Sequence, residues 1–326
     1  MSVALQPTTG AAPVATGYVL VGPTAVGKSR VAQWIAERQG WVILSADSML
    51  VYRGMDVGTA KPSSMERARV PYYGVDVVSP TERYSAAEWL SEARRAFGRE
   101  PAVPVLVVGG TGLYLRCLVD GLREGPPPDA EARARWQRVL DTDGVDGLRE
   151  ALRAVSPAAL EQLADGRNPR RLMRALERVA AGEVGGPSRS WSAGAGRSPL
   201  VGLRMAPDAH KSIIESRVRD MYAHGLVEEA RRLLDAGGEW SATAGQAIGY
   251  AEAMAHLRGQ CTLAAAMERT MARTRQYAKR QRTWLNRQAT IEWIEGSPGM
   301  DVATVGAAVL RTWERLGPTP LLGIRR

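Results

Sequence analysis

The chain has 326 residues, 45% of them hydrophobic, and a formal net charge of +9. That is enough apolar material for one large core or two domains, and the basic balance favours polyanionic partners: nucleic acid, phosphorylated metabolites or an anionic membrane surface. Two cysteines, Cys117 and Cys261, exclude a disulfide scaffold and a cysteine-based zinc site, and no apolar run approaches the ~18 residues of a membrane span.

The opening "MSVALQPTTGAAPVAT" lacks the basic start and long apolar run of a signal peptide. It is expected to form a disordered tail, on a soluble, cytoplasmic protein. "GYVLVGPTAVGKSRVAQWIAERQG" reads as strand, glycine-rich turn and amphipathic helix, and "WVILSAD" as the next strand. "SAAEWLSEARRAFGRE" has helical spacing, and "PVLVVGGTGLYLRCLVDGL" reads as strand, Gly-Gly-Thr turn and helix. Strands that are continuously apolar and alternate with helices predict a parallel sheet covered on both faces, an α/β fold with a P-loop NTPase-like core. From "EGPPPDAEARARW" to about residue 180 only helical patterns occur, with the triple proline as boundary and Asp129 as the expected N-cap. "AGEVGGPSRSWSAGAGRSP" (181–199) is Gly/Ser-rich and expected to be mobile, and "LVGLRMA" reads as a strand returning to the sheet. The expected division is a tail over 1–16, a first part of the core over 17–124, an inserted all-helical domain over 125–200, and completion of the core over 201–326.

"GPTAVGKS", Gly22 to Ser29, fits G-x-x-x-x-G-K-[ST] in full, with a strand before it and a helix after it. The loop Gly22, Pro23, Thr24, Ala25, Val26 and Gly27, through the backbone N–H groups of its non-proline residues and the following helix N-terminus, forms a cradle for a di- or triphosphate. Lys28 supplies a point charge and the Ser29 hydroxyl suits Mg²⁺. ATP or GTP is the usual occupant of such a loop, and Asp47, ending the neighbouring strand, is then a kinase base or a group near the metal; a plain turn residue is the bland alternative. Thr111 in "GGTGLY" ends another core strand and belongs to the same rim, either at the ligand or as a helix cap. "MERTMARTRQYAKRQRTWLNR" (267–287) carries seven basic residues and one acid, Glu268. Met267, Met271, Ala278 and Leu285 form an apolar stripe on it, and Arg269, Arg273, Arg280 and Arg287 share another face, beside Arg275, Lys279 and Arg282. That density suits a phosphate backbone, with Tyr277 and Trp284 as stacking surfaces or core residues. "DGRNPRRLMRALERV" (165–179) adds a second arginine-rich helix start.

Together these blocks resemble the bacterial tRNA dimethylallyltransferases (tRNA isopentenyltransferases). The resemblance rests on "GPTAVGKS", "ADSMLVYRGMDVGTAKP", "YSAAEW", "VGGTGLYLRCLVDGL", "NPRRLMRALE", "GLVEEARRLL", "QAIGYAEA" and "TRQYAKRQRTWL", in family order from about residue 18 to 287. It implies transfer of a dimethylallyl group from dimethylallyl diphosphate to N6 of adenine 37, beside the tRNA anticodon, with Mg²⁺. The phosphate loop then holds a prenyl diphosphate, helped by Arg217, and Asp47 accepts the N6 proton of an adenine flipped out of its stack, with Thr111 near the reaction centre. The tRNA contacts implied are Asp47, Ser48, Met49, Leu50, Thr111, Arg133, Arg170, Arg171, Leu172, Met173, Arg174, Gln246, Ala247, Ile248, Gly249, Tyr250, Ala251, Lys279, Arg280, Gln281, Arg282, Thr283, Trp284 and Arg287. The helical insertion would embrace the anticodon stem-loop, and a monomer is expected. Leu50 stands where the family often has Gln, Tyr72-Tyr73 where it has a His pair, Arg170 where Gln is common, and Asn286 where Arg is. A small-metabolite kinase, an adenylate isopentenyltransferase and a non-enzymatic nucleic-acid-binding NTPase are the competing readings.

Overall fold

The continuous apolar runs become the central strands of a seven-stranded sheet. In chain order the strands are β1 (Val14–Val21), β2 (Val42–Ala46), β3 (Tyr72–Tyr73), β4 (Val105–Gly109), β5 (Leu200–Arg204), β6 (Ile291–Glu295) and β7 (Thr319–Arg325). The computed structural model describes residues 14–122, 129–163, 165–182 and 200–325. The triple proline and residues 183–199 of the Gly/Ser-rich segment lie outside them. The sheet order is β3-β2-β4-β1-β5-β6, all parallel, with β7 antiparallel on β1. Every residue of β2 and β4 is buried, as strands covered on both faces require. β6, at the edge, is only half-buried and carries Glu292 and Glu295.

Helices α1 (Lys28–Gln39), α2 (Ser64–Arg69), α3 (Ala86–Phe97) and α4 (Gly112–Asp120) belong to the first part of the core. Ser63 and Ser85 start α2 and α3 with complete capping boxes to Glu66 and Glu88. The chain divides into two compact units, Met1–Leu122 with Ala193–Arg326, and Arg123–Ser192. The second unit is all-helical: α5 (Ala130–Val155), α6 (Pro157–Glu161) and α7 (Pro169–Ala180) surround Trp136, Leu148, Leu152, Leu172 and Leu176. Asp129 does cap α5, accepting from the N–H groups of Glu131 and Ala132, and Asn168 followed by Pro169 starts α7.

The first unit resumes with α8 (Pro207–Ala223), α9 (Leu226–Asp235), α10 (Tyr250–Leu257), α11 (Leu263–Gln288) and α12 (Val302–Leu316). One apolar cluster lies between the sheet, α1 and α12; a second packs Val51, Tyr52 and Met55 against α8 to α11. Two expected boundaries are corrected. Val14–Thr16, assigned to the tail, are strand residues paired with β7: Val14 with Arg325, Ala15 with Leu321 and Thr16 with Pro320. Leu200, assigned to the insertion, opens β5 and pairs with Ile291 in the sheet. β6, β7 and α12 carry no motif and were not anticipated.

Candidate active site

Strand register creates the site. Val21 lies opposite Gly109, and Ala46 opposite Gly109 on the other side. The chain therefore leaves β1, β2 and β4 at one level, and Gly22, Asp47 and Gly110 follow on one rim, at the carboxyl ends of parallel strands where ligands bind. From β1 the chain turns through Ala25 and Gly27, with φ of 65° and 87°, into the N-terminus of α1. This is the geometry that aims backbone N–H groups and the positive helix end at an anion.

Lys28 folds back to donate from Nζ to the Pro23 carbonyl (2.6 Å). Burial of its ammonium, with a cationic contribution from Arg217, outweighs the attraction of Asp47 and lowers its pKa to about 8. Arg217, on α8, is lowered by burial as well, opposed by Asp47. Its guanidinium donates to the Thr59 carbonyl (3.4 Å). Two half-buried cations thus share one carboxylate, which leaves net positive charge at the rim. The space is a cavity of about 380 Å³ lined by Thr24, Lys28, Ser29, Asp47, Arg217 and Gln281, with Ile43, Leu50, Val108, Met205, Ile213 and Met300 among its apolar walls.

Asp47 continues from β2. Its Oδ1 accepts from the Met49 N–H (2.9 Å), which makes a tight turn of the first residues after the strand. The adjacent Ser48 N–H donates to Thr111 Oγ1 (3.2 Å), and the Thr111 hydroxyl is hydrogen-bonded to Tyr277 of α11. Burial and then the Asp47 charge push the Tyr277 phenol far up, so it stays protonated. Thr111 occupies the N-cap position of α4 without bonding the helix through its side chain; its hydroxyl serves the rim.

The stretch from Val51 to Pro62 is held as architecture. Lys61, 1% exposed, donates to the Tyr52 carbonyl and pairs with Asp56 (2.7 Å) and Asp76 (2.5 Å). Arg53 bonds the carbonyls of Asp76 and Val77, and the Thr59 hydroxyl that of Met55. The buried Glu229 of α9 accepts from the N–H groups of Asp56 and Val57 (3.0 Å each) and from the Tyr250 hydroxyl, which itself accepts from the Gly58 N–H.

Several residues expected to touch RNA are inside. Leu50, Leu172, Ala247, Tyr250 and Gln281 are all buried, as is Gly249, whose φ of 95° marks the turn into α10. Of the α11 arginines, Arg273 pairs with the buried Glu252 and Arg275 with Glu215, so neither belongs to an open basic face. Lys279, Arg280, Thr283 and Arg287 are exposed, as is Gln246, while Ser48, Met49, Ile248, Ala251, Arg282 and Trp284 are half-buried. In the helical unit Arg170 and Arg171 are exposed and Met173 half-buried, while Arg133 and Arg174 both reach the buried Glu177. Glu177 and Glu229 fall inside the blocks "NPRRLMRALE" and "GLVEEARRLL", which gave neither of them a role, and His210 falls in none.

A family model described as "IPP transferase" matches residues 50–288, and one described as "Isopentenyl transferase" matches residues 15–70. The chain belongs to the IPP transferase family. Within it, the chain is 40% identical over 286 residues to a tRNA dimethylallyltransferase 2 of Geotalea uraniireducens, covering 85% of this chain and 91% of the relative. It is 39% identical over 308 residues to a tRNA dimethylallyltransferase of Rhodococcus jostii, covering 91% and 97%. The crystal structure of the full-length tRNA isopentenylpyrophosphate transferase of Bacillus halodurans superposes with a TM-score of 0.64 at 30% identity, over 92% of this chain and 97% of that one. The parallel α/β sheet seen here is that of the family's P-loop NTPase-like fold, and membership makes this chain a prenyltransferase.

Proposed function

We propose that this protein transfers the dimethylallyl group of dimethylallyl diphosphate to N6 of adenine 37 in the tRNA anticodon loop, releasing diphosphate. The observation that carries the reading is the single cavity in which Lys28 and Arg217 stand at the phosphate loop and Asp47 at the same rim, with apolar walls between. The diphosphate lies on the loop, with Lys28 and Arg217 facing its charge, and the prenyl chain lies against the apolar walls. The N6–C1 bond forms as the C1–O bond breaks, and the electron pair leaves with the diphosphate. Positive charge develops on N6 as it attacks, its proton becomes acidic, and the Asp47 carboxylate takes it. Lys28 and Arg217 stabilise the leaving group as its charge grows, from fixed positions beside the phosphate loop. Thr111, tied to Ser48 and Tyr277, holds the Asp47 turn in place.

Mg²⁺ would add charge neutralisation on the leaving diphosphate. The exposed Ser29 hydroxyl, at the start of α1 and in the cavity wall, is the ligand that fits. Among the described residues no group of three or more His, Cys, Asp or Glu forms a metal cage, which suits an ion held mainly by diphosphate oxygens and water. RNA contact is assigned to the exposed Lys279, Arg280, Thr283 and Arg287 of α11 and to Arg170 and Arg171 of α7. The cytoplasm, where tRNA is modified, is the proposed location, with a monomer as the working unit; among the described residues no helix is long and apolar enough to cross a membrane.

A small-metabolite kinase would use the same loop but has no need of a basic α11, and an adenylate prenyltransferase shares that difficulty. The test is incubation with Mg²⁺ and labelled dimethylallyl diphosphate, in parallel with unmodified tRNA and with AMP, and with ATP alone. Label in tRNA is the expected result; label only in AMP, or ATP turnover without transfer, sinks the reading.

A further inference from the structure

The phosphate loop is held from outside at one residue, Thr24, through the two peptide groups that flank it, and the residues that hold it come from two distant helices. The Thr24 N–H donates to Gln281 Oε1 (2.8 Å), and the Thr24 carbonyl accepts from His210 Nε2 (2.8 Å). A carbonyl only accepts, so His210 must carry its proton on Nε2. The other end of the Gln281 amide donates to the Gly110 carbonyl (3.0 Å). Both ends of this side chain, 6% exposed, are therefore satisfied by main chain, and their opposite polarity admits only one amide orientation. A Cβ on Gly110 would come within 2.4 Å of Gln281 Nε2, and one on Gly112 within 2.5 Å of the Trp284 ring. The two glycines are what allow α11 to lie this close to the rim. One turn earlier, Tyr277 bonds Thr111. Two successive turns of α11 thus grip the loops that follow β1 and β4 from within, while Lys279, Arg280 and Thr283 on its outer side stay exposed.

We propose that Gln281 and His210 are positioning residues for the diphosphate-binding loop, so that the helix assigned to RNA also sets the shape of the donor site. Resting on the donor reading above, this assigns Gln281 to the prenyl diphosphate rather than to tRNA. It also removes the Thr24 N–H from the groups that can bind the donor, leaving that task to the N–H groups from Ala25 onward. Gln281→Met keeps the length and volume of the side chain and removes both bonds. Misplacing a positioned loop by about an ångström costs on the order of 10²-fold, so the donor KM is expected to rise about 10- to 100-fold while RNA affinity changes by less than about twofold. His210→Phe is expected to act in the same direction, and His210→Gln, which offers an N–H at similar reach, to restore most of the loss.

The measurements are KM for dimethylallyl diphosphate and Kd for tRNA, together with calorimetric binding of inorganic pyrophosphate to the full chain. Pyrophosphate binding weakened in Gln281→Met and His210→Phe, and recovered in His210→Gln, supports the assignment. Unchanged pyrophosphate binding with weakened tRNA binding overturns it and returns Gln281 to the RNA. Equal losses in His210→Phe and His210→Gln overturn the His210 part. If Gln281→Met does not fold, the His210 pair carries the same test. Failure of the wild-type protein to prenylate any RNA would refute the functional reading, while the pyrophosphate arm would still report on the loop.

Discussion

At the sheet rim Lys28 and Arg217 donate to main-chain carbonyls and share the influence of one carboxylate, Asp47, across a cavity. In the helical unit Arg133 and Arg174 both close on the buried carboxylate of Glu177, and on α11 Arg273 closes on Glu252. Arginine density is similar to the eye, yet its meaning differs. Cations gathered on a buried carboxylate hold helices together, because an acid left alone there would be costly. Cations that face a cavity with too little negative charge are prepared for an anion from outside. A count of basic residues therefore overstates the surface open to RNA, and the exposed remainder is the better guide.

Substitutions at the two regions should separate along that line. Asp47→Ala is expected to have the largest effect, lowering kcat by roughly 10²–10⁴ with little change in tRNA Kd; near-normal single-turnover rates would remove it from the proton transfer. The Lys28 ammonium comes next. With its pKa lowered to about 8, kcat/KM for the donor should fall as pH rises through about 8, approaching tenfold per pH unit. Lys28→Arg should move that limb to higher pH, and a flat profile would break the assignment. The stability linkage runs the other way. A lysine whose folded pKa lies below its unfolded value binds its proton more weakly in the native state, so its destabilising contribution is present below about pH 8 and is relieved as pH rises towards 10.5.

Glu177→Gln tests the helical unit. It should cost about 1–3 kcal/mol of stability, read by denaturant melts, because both arginines lose a charged acceptor. A variant of full stability with altered tRNA affinity would show that Glu177 serves recognition instead. Arg280→Ala is the smallest change expected: unaltered stability, tRNA binding weakened by about 1 kcal/mol, and a salt dependence shallower by about one charge. An unchanged salt slope would remove Arg280 from the RNA surface.

Much of this was legible in the residues. The P-loop needs Gly22, Gly27, Lys28 and Ser29 at a fixed short spacing, and the strands β2 and β4 announce themselves as unbroken apolar runs. Asp129 caps α5 through bonds to neighbours two and three residues on. These are local matters, decided by backbone sterics and by hydrophobic periodicity, and a chain writes them in consecutive letters. β6 and β7 were less legible because edge pairing imposes a weaker apolar pattern. The partners of the site were not legible at all. Thr24 meets Gln281 across 257 positions, His210 across 186, and Asp56 meets Glu229 across 173. A hydrogen bond between such residues leaves no spacing to read, and the same arginine or glutamine suits solvent, RNA or a buried partner. The sequence by itself determined the central strands of the sheet, the phosphate loop and the carboxylate at its rim; only the tertiary structure decided the edge strands, that Gln281 faces the loop, that Tyr250 and Leu172 are core, and which cations remain open, because burial and partner choice are properties of packing between distant segments.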